Sequence, residues 1–226
     1  MQPTLTAGIQ SAHRRATILR YLLIGFVVWK LIAVGSAWAQ HEMLASVANG
    51  AGLSTEDASA NDARERLVGV IALALFLGTV VCWLMWQYRA YANLSLIGSR
   101  DTERSPGASV GLWFIPLANL VLPYQIMSEL YRRSEIQNIR DNIGGLSGPS
   151  IIGVWWFAYL AWGVTTRFSG VIAKDAKEVS TLITATNIEV VSHVLGIVAA
   201  ILAIQVTRSI DRFQQAFPVT EPSVTP

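Results

Sequence analysis

Residues 67–86 run for twenty positions without a charged side chain. About 20 apolar residues in a helix cross the roughly 30 Å hydrocarbon core of a bilayer. Such a run constrains the whole chain, because a backbone in lipid must satisfy its own hydrogen bonds and is therefore helical or part of a closed barrel. Three comparable runs follow the same logic. Residues 18–39 are interrupted by Arg20 and Lys30, residues 151–173 contain Arg167, and residues 188–207 carry Glu189 and His193 in their first half. Composition agrees: 52% of residues are hydrophobic and 14% charged, where a soluble domain carries about 25% charged residues. A net charge of +2 and a single cysteine fit poorly with disorder, a disulfide scaffold or nucleic-acid binding. The expected fold class is all-α, an integral membrane helical bundle in a single membrane domain over 1–217. The tail, 218–226, holds Pro218, Pro222 and Pro226 and is expected to be disordered.

The topology turns on one more apolar stretch. Residues 105–128 are charge-free but contain Pro116, Asn119 and Pro123. If the stretch crosses, there are five spans; if it dips and returns, there are four. Basic residues concentrate in cytoplasmic segments. With four spans, Arg14, Arg15, Arg20, Arg89, Arg100, Arg104, Arg132, Arg133, Arg140, Arg208 and Arg212 all lie inside, 11 of the 17 basic residues. Only Arg64, Arg66, Lys174 and Lys177 lie outside. Five spans divide them almost evenly. The expectation is four spans (18–39, 66–87, 151–173, 188–207) in two hairpins with both termini cytoplasmic. Residues 106–128 then form a re-entrant or interfacial segment, and the polar residues 40–63 form an outside loop. Residues 124–142 read as an amphipathic helix at headgroup level. Ile126, Met127, Leu130 and Tyr131 make its apolar face, with Glu129, Arg132, Arg133, Glu135 and Arg140 toward water. Trp83, Trp86, Tyr88, Tyr91, Trp113, Tyr124, Trp155 and Trp156 are expected at the inner interface, and Trp29 and Trp162 between helices. Ala37-Trp38-Ala39 before Gln40 has the form of a signal-peptidase site, but Lys30 inside the apolar run favours an uncleaved first span.

The most distinctive residues lie between the second and third spans. Trp86-Gln87-Tyr88-Arg89-Ala90-Tyr91-Ala92-Asn93-Leu94 is followed by Ser105-Pro106-Gly107 and by Gly111-Leu112-Trp113-Phe114-Ile115-Pro116. Asn119-Leu120, Pro123-Tyr124 and Glu129-Leu130 come next. This order resembles a family of bacterial, mainly actinobacterial, multi-pass membrane proteins catalogued as domain of unknown function 4328. The likeness is close over about 86–134 and rests on hydropathy in the flanking helices. It implies a helical architecture in a bacterial inner membrane and no activity.

Several residues have two readings. Arg89 and Asn93, four apart, share a helix face. They either hold a lipid headgroup or ligand, or they snorkel and cap the helix. Asn119 either satisfies the backbone broken by the prolines or lines a pore. Charged residues inside a bilayer are functional candidates by default. Lys30, Arg167, Glu189 and His193 could form a buried polar cluster that relays protons or binds a small anion, or their long side chains could snorkel outward.

No HExxH, CxxC, GxSxG or GxxxxGK[ST] element is present. Cys82 reads as a packing residue, and His13, His41 and His193 are too dispersed for one metal site. No enzyme activity, no cofactor, no metal and no nucleic-acid partner are expected. The leading expectation is a non-enzymatic module that binds lipid or protein through its cytoplasmic-side interfacial segment, with the bilayer and its anionic headgroups, a membrane protein or a second copy as partners. The alternative is a small oligomeric transporter or channel for a solute or ion that uses the re-entrant segment and the intramembrane charges.

Overall fold

The computed structural model describes residues 5–99, 102–135, 148 and 150–217. Every element among them is helical. In chain order they are α1 (Leu5–Ala48), α2 (Thr55–Leu96), α3 (Pro106–Gly111), two 3-10 turns (Leu112–Phe114 and Ala118–Leu120), α4 (Leu122–Ser134), α5 (Ser150–Asp175) and α6 (Val179–Gln215). Residues 136–142 of the expected amphipathic helix, Arg140 among them, and the expected tail over 218–226 lie outside the described residues.

Helices α1, α2 and α6 are long and apolar enough to cross a membrane. At about 1.5 Å per residue, α1 runs for roughly 66 Å, about twice a hydrocarbon core. The chain is thus an integral membrane protein whose spanning helices continue well beyond their apolar runs. Helix α5 is 26 residues long but is not among those three. Its sequence includes Trp155, Trp156, Tyr159, Trp162 and Arg167, and such amphipathic or charged side chains lower hydropathy without shortening a helix.

The expected loop over 40–63 is replaced by helix. Helix α1 continues to Ala48 and α2 begins at Thr55, leaving residues 49–54 between them. The reason is local. Residues 40–48 are rich in helix formers, and Ser54 starts α2 as a capping pair with Asp57. The Asp57 N–H donates to Ser54 Oγ at 3.0 Å, and that hydroxyl donates to Asp57 Oδ2 at 2.6 Å.

Packing divides the chain into two compact units. The first holds residues 1–21, 79–154 and 202–226; the second holds 22–78 and 155–201. Helices α1, α2 and α6 contribute a segment to each. In the first unit, α4 sets Ile126, Met127, Leu130 and Tyr131 fully inside protein. This corrects the picture of that face lying on lipid. The helix stops at Ser134, since Glu135 is already extended. Trp86 and Tyr91 are likewise core residues of this unit rather than interfacial rings. In the second unit, Trp162 stands edge-on to both Phe26 and Phe76. Trp29 Nε1 donates to the Val68 carbonyl at 3.2 Å, and Ser169 Oγ donates to the Ala185 carbonyl at 2.9 Å. Both tryptophans expected between helices are there.

Residues 106–121 do not form one helix. Ser105 caps α3 by accepting from the Ala108 N–H, with Pro106 in the first turn. Pro116 supplies no N–H and holds its neighbour Ile115 extended, at φ −86° and ψ 116°. Leu117 follows at φ 65°, a left-handed conformation that an L side chain adopts only under strain.

Candidate functional site

The motif residues build the core of the first unit. Glu129 is 3% exposed and sits on α4. The Tyr91 hydroxyl from α2 donates to its Oε2 at 2.5 Å. The Glu103 backbone N–H and Arg133 Nε donate to its Oε1 at 2.9 and 2.8 Å. Arg104 Nη1 stands 3.6 Å from Oε2. A buried carboxylate is tolerated only when paired and hydrogen-bonded in this way. Tyr91 lies beyond the apolar run of α2. Burial, and then the hydrogen bond to the Glu129 carboxylate, push its phenol above the usual range, so the hydroxyl stays a donor.

Arg89 and Asn93 share one acceptor. Both reach the carbonyl of Gly8 on α1, at 3.4 Å from Arg89 Nε and 3.2 Å from Asn93 Nδ2. Asn93 also donates to Gln214 Oε1 at 3.0 Å. It is fully buried, and α2 continues past it to Leu96, so it caps nothing. Gln214 in turn donates to the Ala90 carbonyl and to Ser134 Oγ, at 2.8 and 3.1 Å. Gly8 leaves room for this approach: a Cβ there would come within 2.8 Å of Asn93 Oδ1, and that side chain would have to shift. A second buried acid, Asp211, pairs with His13 Nδ1 at 3.0 Å and with Arg20 Nη2 at 3.3 Å. Sequence reasoning left Asp211 and Gln214 unremarked. Their one signal is polarity at core positions of a helix end.

The segment ahead of α4 is built differently. Phe114, Ile115, Leu117, Leu120 and Val121 are all exposed, Leu117 at 83%. Asn119 donates its backbone N–H to the Ile115 carbonyl at 2.9 Å. Its side-chain oxygen is buried without a partner among the described residues. Beside this segment, Glu103, Tyr124, Gln125, Ser128 and Arg132 line a cavity of about 390 Å³. Ser128 Oγ is buried and has no hydrogen-bond partner. Gly107 and Trp113 lie on the chain leading into the segment, in α3 and the first 3-10 turn, and Pro123 is buried in the first turn of α4.

In the second unit three of the four intramembrane charges converge. Lys30 Nζ lies 3.2 Å from His193 Nδ1, and His193 Nε2 lies 3.7 Å from Glu189 Oε1. The ammonium also stands over two rings, 5.4 Å from the Phe26 centroid and 5.3 Å from that of Trp162. An ammonium can only donate, so it assigns the Nδ1 of a neutral ring as acceptor and places the ring proton on Nε2, facing Glu189. Arg167 does not join the cluster. It is exposed and makes no ion pair among the described residues.

No curated protein and no solved structure matches this chain. The family model for a domain of unknown function (DUF4328) matches residues 49–212. That match extends on both sides of the 86–134 motif, over α2 to α5 and most of α6. On this likeness the chain belongs to the DUF4328 family.

Proposed function

We propose that the chain is a non-enzymatic membrane module of the bacterial inner membrane that binds lipid through the segment between α2 and α4. The observation behind this reading is the exposed apolar series Phe114, Ile115, Leu117, Leu120 and Val121 next to a polar cavity on α4. Exposed patches of this kind mark surfaces that meet lipid or protein. Here the segment inserts at the cytoplasmic interface and returns. Helix α5 serves as the fourth span and both termini are cytoplasmic, as the distribution of arginines favours. The test is a label at Leu117→Cys in a Cys82→Ser background, reconstituted with lipids carrying a quencher in the acyl chain. The label is expected to be quenched. A label that is unquenched, or that reacts with an impermeant reagent from the periplasmic face, refutes the reading.

A second reading, a small transporter or channel, is favoured by one observation, the 3.2 Å contact between Lys30 and His193. The imidazole bridges an ammonium and a carboxylate, and such chains mark ion and proton pathways in membranes. Four spans make a thin bundle, so this reading requires an oligomer. Solute or proton flux into proteoliposomes that disappears in Glu189→Gln supports it, and flux equal in wild type and variant refutes it.

A further inference from the structure

We infer that the cavity on α4 holds the headgroup of a phospholipid bearing a primary ammonium, that is, a phosphoethanolamine lipid. This inference rests on the membrane-module reading and narrows it to one ligand class. Tyr124, Gln125, Ser128 and Arg132 follow one another at one, three and four residues, so they share one side of α4. The opposite side, with Ile126, Met127 and Leu130, is buried. The cavity side is therefore presented outward while the helix is held in place from behind.

Charge selects the ligand. Among the described residues, the cavity wall has one guanidinium, Arg132, and one carboxylate, Glu103. Neighbouring arginines are already committed: Arg104 to Glu103 Oε2 at 2.9 Å and to Gln125 at 3.1 Å, and Arg133 to Glu129 and Ser99. Among the described residues, Arg132 uses only its Nε, in a 3.4 Å contact with the Ser128 carbonyl. Its two terminal nitrogens are left for a phosphate, which they match in a planar fork. Ser128 Oγ, buried and unpartnered, supplies a further donor. Glu103 is exposed and engages Arg104 through Oε2 alone, so Oε1 remains to accept from an ammonium. A purely anionic headgroup brings no cation to the Glu103 Oε1 that Arg104 leaves free. A quaternary ammonium has no N–H to donate to it. A primary ammonium next to a phosphate satisfies both walls.

The ligand is an amphiphile rather than a soluble phosphate ester. Leu120 and Val121, both exposed, lead directly into the first turn of α4 and offer an apolar track for acyl chains beside the polar cavity.

The experiment uses the purified full chain in non-ionic detergent, with equal amounts of short-chain phosphatidylethanolamine, phosphatidylglycerol and phosphatidylcholine, read by native mass spectrometry. The ethanolamine lipid is expected to be retained about tenfold over the other two. Arg132→Gln should bring it down to their level, and Glu103→Gln should erase its advantage over phosphatidylglycerol while leaving phosphatidylglycerol bound at least as well. Both side chains are exposed, and unchanged circular dichroism checks that the variants fold. Retention of phosphatidylglycerol equal to or above the ethanolamine lipid, or an Arg132→Gln chain that binds as wild type, overturns the inference. So does full displacement of the lipid by an equimolar amount of water-soluble glycerophosphoethanolamine, which would remove the role of the acyl chains. A quenched Leu117 label with no ethanolamine preference overturns the headgroup site and leaves the inserted segment standing. Ethanolamine preference with an unquenched label supports the site and removes the inserted segment.

Discussion

The two compact units treat buried charge in opposite ways. In the first, Glu129 is surrounded by a phenol, a backbone N–H and two guanidinium groups, and Asp211 by an imidazole and a guanidinium. Each carboxylate has enough partners to replace the water it lost. In the second, Lys30 has a single hydrogen-bond partner among the described residues, His193, and otherwise rests on two aromatic faces. The His193–Glu189 contact beyond it is long, at 3.7 Å. A saturated charge fixes neighbouring helices, because every donor around it is lost if it is removed. A sparsely held one does less for stability and keeps protonation states within reach. The 86–134 motif supplies the Glu129 network, which suits an architectural signature, whereas Lys30, Glu189 and His193 lie outside that motif.

The largest effect expected from this contrast is at Glu129. Glu129→Ala leaves Tyr91, Arg104, Arg133 and the Glu103 N–H without their shared acceptor, and breaking a buried charged network lowers stability by about 3–5 kcal/mol. Thermal unfolding of the detergent-solubilised chain measures it. A loss under about 1 kcal/mol would mean that the network is not the structural core of its unit.

A smaller effect is expected at Tyr91, and it depends on pH. The folded state raises the phenol's pKa, through burial first and Glu129 second. The neutral form is the stabilising one. That contribution is fully present below the ordinary tyrosine value of about 10 and is lost as pH rises through the higher folded value. Wild type should therefore lose more stability than Tyr91→Phe between neutral pH and about pH 11. Parallel pH profiles for the two would detach Tyr91 from the carboxylate.

Much of this was legible in the residues, for definable reasons. Helix class and membrane residence follow from the length of the apolar runs, which the bilayer alone dictates. The break at Pro116 was readable because proline acts on its own backbone and on the preceding residue. The helical extensions over 40–48 and 55–63 were missed because polarity was taken as a sign of loop. Gln40 and Asn61 instead use their amides between helices, Gln40 donating to Thr186 Oγ1 at 3.1 Å and Asn61 Nδ2 donating to Gln40 Oε1 at 3.5 Å. Arg89 and Asn93 were placed on one helix face correctly, but their partner, the Gly8 carbonyl, is 81 and 85 residues away, and no local pattern points to it. The cluster of Lys30, His193 and Glu189 was proposed from the rarity of intramembrane charge. Arg167, one of the same four, faces outward because helix phase rather than depth decides which side a residue takes.

The smallest expected effect is the one that separates the two units most sharply. Lys30→Met keeps a long side chain for the aromatic faces of Phe26 and Trp162 and removes the buried charge. Removing a buried charge favours stability, while leaving His193 Nδ1 unpaired opposes it by about 1–3 kcal/mol. The two nearly cancel, so unfolding should shift by less than about 1 kcal/mol. The chemistry should change where the stability does not. With Lys30 donating, the His193 ring proton is held on Nε2, and without it Nδ1 is released to carry the proton. Nitrogen NMR of the labelled ring, assigned with His193→Gln, is expected to show the Nε2–H tautomer in wild type and a mixture in Lys30→Met. If instead Lys30→Met unfolds the chain as severely as Glu129→Ala, the cluster is structural in the same sense as the Glu129 network. The distinction between a saturated and a sparsely held charge would then lose its meaning here.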